Sequence, residues 1–356
     1  MIRKELETML SIKDDYCGKK IIIWGTGNTT SLYQEGFNRL EREGFHIFAY
    51  ADNNEVKWNT TINGIEVLSP SEVEKISDVL VLITSPQPNV IRMVGNQLDE
   101  MNVCWMHVDE YILCKHKDEV LKCFDLLEDA RSKAVYAEII KCHLEGRYPD
   151  WEFVDKNQYY SFGDFSDYNP NEIFVDCGAF VGDSLERYIW EKDGIFKKIY
   201  AFEPDEKNVE AMNYRIQRLK KEWNLSNNKI QVYPYGLSDS SSVTYISRYD
   251  SNNGFGSKIV QQKSENVDEC RVVSLDDVLD EGCSFIKADI ESYEYKMILG
   301  AKETIKKYRP KMAICIYHNC VDLYSIMLLI KEINKNYKFA VRHYTHMLSE
   351  TVLYVY

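Results

Sequence analysis

Segment 173–205 constrains the fold of this chain more than any other. An apolar run ends at Asp176 and is followed by a turn that contains Gly178 and Gly182, and a second apolar run ends at Glu203. Glycines let the backbone approach a ligand where a Cβ would clash, and an acid after the second strand can accept hydrogen bonds from both ribose hydroxyls. This order predicts a Rossmann-like unit that binds a nucleoside cofactor, with S-adenosylmethionine as the expected one.

The composition is typical of a soluble globular protein and limits its partners. The chain has 356 residues, 45% of them hydrophobic and 28% charged, and this length allows two domains. The net charge of −13 disfavours nucleic acid or an anionic membrane as the main partner. No apolar run reaches membrane-spanning length, and the ten cysteines form no Cys-x-x-Cys pair. We therefore expect a cytoplasmic protein with reduced thiols and no membrane span.

Three regions follow one another along the chain. Residues 1–110 predict a smaller Rossmann-like α/β domain, with strands at 19–24, 47–52 and 79–84 and helices at 31–43 and 89–101. Residues 111–157 show helical periodicity before an irregular aromatic stretch, and they predict a helical connector. Residues 158–356 form the predicted larger α/β domain.

The larger domain has the strand and helix order of a class I methyltransferase. Its apolar runs predict a seven-stranded sheet with an antiparallel edge, with strands at 173–175, 199–202, 230–235, 283–288, 312–317, 339–343 and 351–356. Helices are expected before 221 and at 295–308 and 321–334. Short β-like runs between 240 and 275 indicate an insertion, whose residues 252–256 are rich in turn formers.

Polar clusters stand at the ends of five predicted strands, where ligands of open α/β sheets bind. Asp176 and Glu203 could also be a helix cap and a surface acid, but the neighbouring glycines favour a cofactor role. The adenine is expected near 236–239. The predicted cofactor-binding residues are Asp176, Cys177, Gly178, Ala179, Gly182, Asp183, Glu203, Pro204, Gly236, Leu237, Asp239 and Asp289.

A methyl transfer from a sulfonium needs alignment of donor and acceptor and removal of the acceptor's proton. His318 and Asp289 are the candidate proton acceptors, and Glu291 completes the predicted catalytic set, although the two acids could simply cap a helix. Asp289, Glu291 and His318 could together hold a divalent cation, but their spacing matches no recognised metal signature and we assign no metal site. The predicted substrate-binding residues are Tyr159, Tyr160, Tyr317 and His343.

Residues 158–356 resemble the FkbM-type S-adenosylmethionine-dependent methyltransferases. The matching stretches are 174–183 (FVDCGAFVGD), 201–205 (AFEPD), 285–291 (FIKADIE), 299–301 (LGA), 313–318 (AICIYH) and 350–354 (ETVLY). The family has glycine where this chain has Ser292. The resemblance implies O-methylation of sugar hydroxyls, on a carbohydrate or a nucleotide-sugar, as in the biosynthesis of surface polysaccharides.

The first domain resembles, more loosely, small Rossmann-like domains that precede sugar-modifying enzymes and bind nucleotide-sugars. Gly25, Gly27 and Asp52 carry this similarity, but Thr30 stands where a dinucleotide fingerprint needs its third glycine. A nucleotide-sugar site and a degenerate scaffold or dimerisation domain therefore stay open, and so does a homo-oligomer.

Three alternatives compete with an O-methyltransferase. An NAD(P)-dependent sugar oxidoreductase or a nucleotide-sugar-binding module would use the first domain, and an inactive scaffold would bind S-adenosylmethionine without turnover. An amine or nucleic-acid N-methyltransferase is disfavoured, because the Asp/Asn-Pro-Pro-Tyr motif for a planar amine is absent and the chain is acidic.

Overall fold

The computed structural model describes residues 2–11, 18–27, 33–248, 257–260 and 267–356, which form two α/β units joined by three helices. Thr30, the first residues of the helix predicted at 31–43 and the segment 252–256 lie outside these ranges. Within them, no helix has the combination of length and apolar character that a membrane crossing requires.

The first unit is built around a mostly parallel sheet. Its strands are β1 Lys20–Trp24, β2 Ile47–Ala51, β3 Thr61–Ile62, β4 Ile65–Leu68, β5 Val79–Ile83 and β6 Trp105–His107, and its helices are α1 Ile2–Met9, α2 Gln34–Arg42, α3 Pro70–Val73 and α4 Pro88–Glu100. The sheet order is β3-β4-β2-β1-β5-β6. The sequence analysis missed β3, β4 and β6, because strands of two to four residues carry no periodic pattern.

Three helices connect the two units, namely α5 Val108–Lys115, α6 Lys117–Leu126 and α7 Ala130–Glu145. Asp129 caps α7 by accepting a hydrogen bond from the N–H of Ser132 at 2.8 Å. Gly146 ends the helix with φ +59°, in the left-handed region that favours glycine. Helical periodicity in this part of the sequence predicted these helices, and α5 begins directly after β6.

The second unit contains most of the remaining elements. Its strands are β7 Ile173–Cys177, β8 Lys198–Phe202, β9 Ile230–Tyr233, β10 Gly236–Leu237, β11 Ser242–Arg248, β12 Ser257–Val260, β13 Val267–Val273, β14 Phe285–Ala288, β15 Lys311–Cys315, β16 Phe339–His343 and β17 Thr351–Val355. Its helices are α8 Gly163–Ser166, α9 Asp183–Glu191, α10 Glu206–Glu222, α11 Leu275–Val278, α12 Glu294–Leu299, α13 Lys302–Tyr308 and α14 Asp322–Ile333.

The main sheet of this unit has seven strands in the order β16-β17-β15-β14-β7-β8-β9. Strands β9, β8, β7, β14 and β15 run parallel, and β17 is antiparallel to both β15 and β16. The predicted seven-stranded α/β sheet with an antiparallel edge is confirmed. The carboxyl ends of β7, β8, β14 and β15 consequently meet at one edge of the sheet.

Two details of the predicted second unit are wrong. The strand predicted at 230–235 ends at Tyr233, and β10 belongs instead to a second sheet with the order β10-β13-β11-β12. The helix predicted at 295–308 is interrupted between α12 and α13. A Cβ on Gly300 would lie 2.1 Å from the carbonyl oxygen of Ser238, so the chain packs closely against the start of the second sheet at this point.

One hydrophobic cluster runs through both units. Ile23 of β1 and Leu82 of β5 belong to it, together with Ile140 of α7 and with Ile314 and Leu353 of the second unit. The opposite face of the first sheet packs into a separate cluster with α4. The connecting helices therefore join the two sheets through shared apolar burial.

Candidate active site

The turn between β7 and α9 lies at the carboxyl edge of the main sheet. Gly178 has φ +79°, and a Cβ on it would lie 1.9 Å from the carbonyl oxygen of Asp289, so the position requires glycine. The N–H groups of Gly178 and Ala179 donate to the carbonyl oxygen of Phe202 at 3.1 and 2.9 Å. These bonds hold the turn against the end of β8.

Glu203 follows β8 directly and is held by three donors. Its Oε2 accepts from the N–H of Phe180 at 3.0 Å, and its Oε1 accepts from the N–H of Asp205 at 3.0 Å and from Nδ2 of Asn208 at 3.1 Å. Burial raises the pKa of Glu203, and these hydrogen bonds oppose that rise. The carboxylate is fixed in orientation and keeps lone pairs for further donors.

Asp176 is fully buried and does not border the cleft that was expected to receive it. Its Oδ1 lies 3.0 Å from Nζ of Lys287, and its Oδ2 accepts from the hydroxyl of Ser184 at 2.6 Å. Lys287 Nζ also donates to the carbonyl oxygen of Gly178 at 2.7 Å. Burial raises the pKa of Asp176, and the charge of Lys287 opposes this. The predicted direct cofactor contact is replaced by a role in holding the glycine turn.

A cleft of about 490 Å³ opens where the strand ends meet, within the size range of small-molecule sites. The glycine turn and Glu203 contribute to its wall, and so do the residues that follow β14 and β15. The predicted site residues that line it are Tyr159, Gly178, Asp183, Glu203, Pro204, Gly236, Asp289, Glu291, Tyr317 and His318.

Asp289 is the centre of a group of polar side chains in this cleft. The hydroxyl of Tyr159 donates to its Oδ2 at 3.1 Å, and that of Tyr317 donates to its Oδ1 at 3.2 Å. The Tyr317 hydroxyl is also 3.3 Å from Oε1 of Glu350. Burial would raise the pKa of Asp289, but the positive charge of His318 helps to lower it. Asp289 is therefore an ionised acceptor at neutral pH.

His318 follows β15 and lies among three carboxylates. Its Nδ1 is 3.0 Å from Glu294, and its Nε2 is 3.4 Å from Asp289 and 3.9 Å from Glu291. Burial would lower the pKa of His318, but the carboxylates outweigh it and raise the pKa to about 10. A general base must be unprotonated. The carboxylates thus disfavour the predicted base role of the ring itself, and Asp289 is the better-placed proton acceptor.

Several predicted cofactor residues lie beside the cleft instead of in its wall. Cys177, Ala179 and Leu237 are buried in the core, where they support the strand ends. Gly182, with φ +79°, packs against Met212. Asp239 lines a separate cavity next to the second sheet, so the structure does not bring it to the predicted adenine position.

Two predicted substrate-binding residues are in the core. Tyr160 packs edge-on against Phe285, at 6.4 Å between ring centroids, and is buried. His343 is fully buried, and its Nδ1 lies 2.8 Å from the hydroxyl oxygen of Thr351 on the adjacent strand. Both predictions fail because side chains on neighbouring positions of a strand or turn point in opposite directions.

The sequence analysis missed three polar residues of the site. Lys287 and Glu350 line the cleft, and the fully buried Glu294 lies against His318. A signal was available for Lys287, because a lysine inside an otherwise apolar strand needs a buried partner. Glu294 follows Glu291 by three residues, and only the turn after β14 shows that it points inward.

The glycine turn of the first unit surrounds its acid closely. Asp52 Oδ2 accepts from the N–H and the hydroxyl of Thr26 at 2.9 and 2.5 Å, and it lies 2.8 Å from Nζ of Lys57. Burial would raise the pKa of Asp52, but Lys57 and the other donors lower it to about 2. These protein donors occupy the carboxylate that a nucleotide ribose would need.

Comparison with known families agrees with this geometry. Residues 176–346 match the methyltransferase FkbM domain, and residues 17–104 match the C2185-like N-terminal domain. The second unit is an FkbM methyltransferase domain. The expected family is confirmed, and the chain is an enzyme of the methyltransferase type. None of the curated proteins matches the chain significantly.

Solved structures support the fold. The methyltransferase FkbM of Methylobacillus flagellatus KT aligns over 100% of this chain and 97% of its own, with 18% identity and a TM-score of 0.56. An rRNA methylase of Streptococcus thermophilus covers 53% of this chain and 87% of its own, with 15% identity and a TM-score of 0.31. SMU.1697c of Streptococcus mutans, solved with SAH, covers 57% and 90%, with 12% identity and a TM-score of 0.32.

Proposed function

We propose that this FkbM methyltransferase transfers a methyl group from S-adenosylmethionine to a hydroxyl of a carbohydrate, either a glycan or a nucleotide-sugar. The observation that carries the proposal is one cleft that joins the fixed carboxylate of Glu203 to the polar group around Asp289. A nucleoside cofactor and a hydroxyl acceptor would need these two kinds of surface side by side.

The residues of the cleft fit S-adenosylmethionine. Gly178 leaves space for close approach at the strand end, since a side chain there would collide with the backbone. The Glu203 carboxylate is oriented by three donors and suits a pair of ribose hydroxyls. Tyr235 and Asn208 complete the lining beside it. When bound, the cofactor supplies an already activated methyl group.

Asp289 is suited to take the proton of the acceptor hydroxyl. As the new carbon–oxygen bond forms, the hydroxyl oxygen gains positive charge and its proton becomes strongly acidic, so an ionised carboxylate suffices as the acceptor. The phenol groups of Tyr159 and Tyr317 donate to Asp289 and fix its orientation. The C–O bond forms as the carbon–sulfur bond breaks, and the proton passes to Asp289.

The side chains around Asp289 support a carbohydrate acceptor. Carboxylates of Glu291 and Glu350 and the hydroxyl of Tyr317 line the same cleft, so several sugar hydroxyls could donate at once. An acidic lining also disfavours a phosphate backbone, in agreement with the net charge of −13. We infer that the protein acts in the cytoplasm on a small or glycan-linked sugar.

Calorimetric titration with S-adenosylmethionine tests the cofactor half of the proposal. We expect Glu203→Gln to weaken binding at least tenfold, because a carboxylate oxygen that accepts from ribose is lost. Glu206→Gln, an exposed acid on the first turn of α10, is the matched control and should bind as the wild type does. Equal affinity in wild type and Glu203→Gln would contradict the assignment.

Labelled S-adenosylmethionine tests the acceptor half. The protein is incubated with nucleotide-sugars and polysaccharide fragments, and methylated products are identified by mass spectrometry. We expect an O-methyl sugar, and Asp289→Asn should reduce its formation at least a hundredfold. Methylation of RNA or of an amine in place of a sugar would overturn the carbohydrate proposal, and cofactor binding without any product would favour the inactive scaffold.

A further inference from the structure

Donor atoms of Asp289, Glu294 and His318 converge at the wall of the cleft. One donor atom from each of the three residues lies within 4.8 Å of the other two. Donors that sit 2.0–2.6 Å from a common ion are at most about 5 Å apart. The three residues come from the end of β14, the start of α12 and the end of β15, so their convergence is a product of the fold.

Buried polar atoms in this group lack hydrogen-bond partners. Glu294 is fully buried, and its Oε2 has none among the described residues. The His318 side chain is 7% exposed, and neither ring nitrogen makes a hydrogen bond of adequate geometry, although carboxylate oxygens lie within ion-pair distance. Unpartnered buried polar atoms are rare in folded proteins, and an unfilled ligand site is one cause of them.

We propose that Asp289, Glu294 and His318 bind a divalent cation, Mg²⁺ or Mn²⁺. Two carboxylates and one imidazole without a thiolate form a hard donor set that suits these ions. The carboxylate of Glu291, 3.9 Å from His318, adds negative charge beside them. A bound cation would replace the ring proton as the positive charge among these acids, and it would give Glu294 Oε2 a partner.

The surrounding residues would support such an ion. Tyr159 and Tyr317 donate to Asp289, which is how outer residues commonly orient a ligating carboxylate. Asp289 and His318 line the cleft, so the ion could also coordinate the acceptor. This role rests on the proposed function: the ion would orient the acceptor hydroxyl and make its proton more acidic. Binding of the ion itself does not depend on it.

Mn²⁺ titration of the full chain, followed by loss of the free-ion electron paramagnetic resonance signal, tests the site without cofactor or substrate. We expect saturable binding of one Mn²⁺ per chain. Glu294→Gln keeps the size of the side chain and should weaken this binding at least tenfold, and Asp289→Asn should do the same if Glu294→Gln does not fold. A wild-type chain without saturable binding, or both variants binding as the wild type does, would overturn the proposal.

Glu350→Gln is the discriminating control. Asp289 also lies within reach of Cys315 and Glu350, which form a second group of donor atoms. We expect Glu350→Gln to bind Mn²⁺ within twofold of wild type, and loss of binding in this variant alone would assign the ion to the second group and refute ours. S-adenosylmethionine binding measured in EDTA reports separately on the proposed function, so the two proposals can fail independently.

Discussion

Individual residues of the site depend on partners that are distant in sequence. Lys287 is buried between Asp176 and the carbonyl oxygen of Gly178, and its position opposite Asp176 comes from the parallel pairing of β14 with β7. Burial would lower the pKa of Lys287, but Asp176 and Asp289 raise it, so the lysine stays charged. The ion pair is thus a structural part of the cofactor turn.

Removal of the lysine should be strongly destabilising. We expect Lys287→Met to lower the free energy of unfolding by about 3–5 kcal/mol, because it leaves a buried carboxylate without its partner. Chemical denaturation measures this, and the double variant with Asp176→Leu should recover part of the loss. Lys197→Met removes an exposed pair with Glu281 and serves as a control, with an expected change below about 1 kcal/mol.

His343 should make stability depend on pH. Burial lowers its pKa to about 4, with Asp155 opposing this and His143 adding to it. The unfolded state therefore binds a proton below about pH 6.5 that the folded state refuses until about pH 4, so stability present above pH 6.5 is lost as the pH falls through this window, by up to roughly 3 kcal/mol.

Denaturation midpoints between pH 7 and 4.5 check this expectation. His343→Gln should flatten the pH dependence of the free energy of unfolding over that range, whatever it does to stability at pH 7. His46→Gln, a substitution of an exposed histidine, should leave the dependence as in wild type. An unchanged slope in His343→Gln would show that other groups cause the acid sensitivity.

At the scale of elements, the turn after β14 carries backbone strain. Glu291 has φ +53° and Ser292 has φ +76°, and a left-handed residue other than glycine is disfavoured by about 1–2 kcal/mol. The related family has glycine at the second of these positions. The substitution by serine thus keeps the turn and stores strain beside Asp289.

Ser292→Gly should relax this turn. We expect the free energy of unfolding to rise by about 0.5–1 kcal/mol, because relief of the left-handed strain exceeds the extra entropy of glycine in the unfolded chain. Thermal and urea denaturation would measure it. Ser166→Gly in α8, where the backbone is helical, should instead be neutral or destabilising, and a loss of stability in Ser292→Gly would contradict the strain assignment.

The long elements could be predicted from sequence and the short ones could not. Buried strands such as β1, β7 and β16 have apolar runs bounded by turn residues, and the glycine turn with Glu203 follows from local pattern alone. The inward position of Glu294, the core positions of Tyr160 and His343 and the sheet of β10–β13 depend on tertiary packing. Local periodicity carries no information on such contacts.

At the scale of the whole molecule, the two sheets share a hydrophobic cluster through α5–α7. Ser132 at the start of α7 accepts a hydrogen bond from the N–H of Val341 in β16 at 2.9 Å, and Arg342 also donates to it at 2.7 Å. Packing and hydrogen bonds thus couple the units, and they should unfold together.

Hydrogen exchange tests this coupling. Ile140→Ala in α7 removes buried methyl groups from the shared cluster and should destabilise by about 2–4 kcal/mol, with faster amide exchange in both β5 and β15. Val94→Ala in α4 alters the separate cluster and should speed exchange mainly in the first sheet. Exchange that changes only on one side in Ile140→Ala would show that the units unfold independently.

The two faces of the first sheet have different consequences for divergence among related chains. Ile21 and Ile23 of β1 face the shared cluster, whereas Ile22 and Trp24 face the separate one. Residues on the shared face can change only in step with the connecting helices, but those on the other face can drift with α4 alone. A recombination event that exchanged the first unit would therefore succeed most readily if the incoming sheet brought a matching inner face with it.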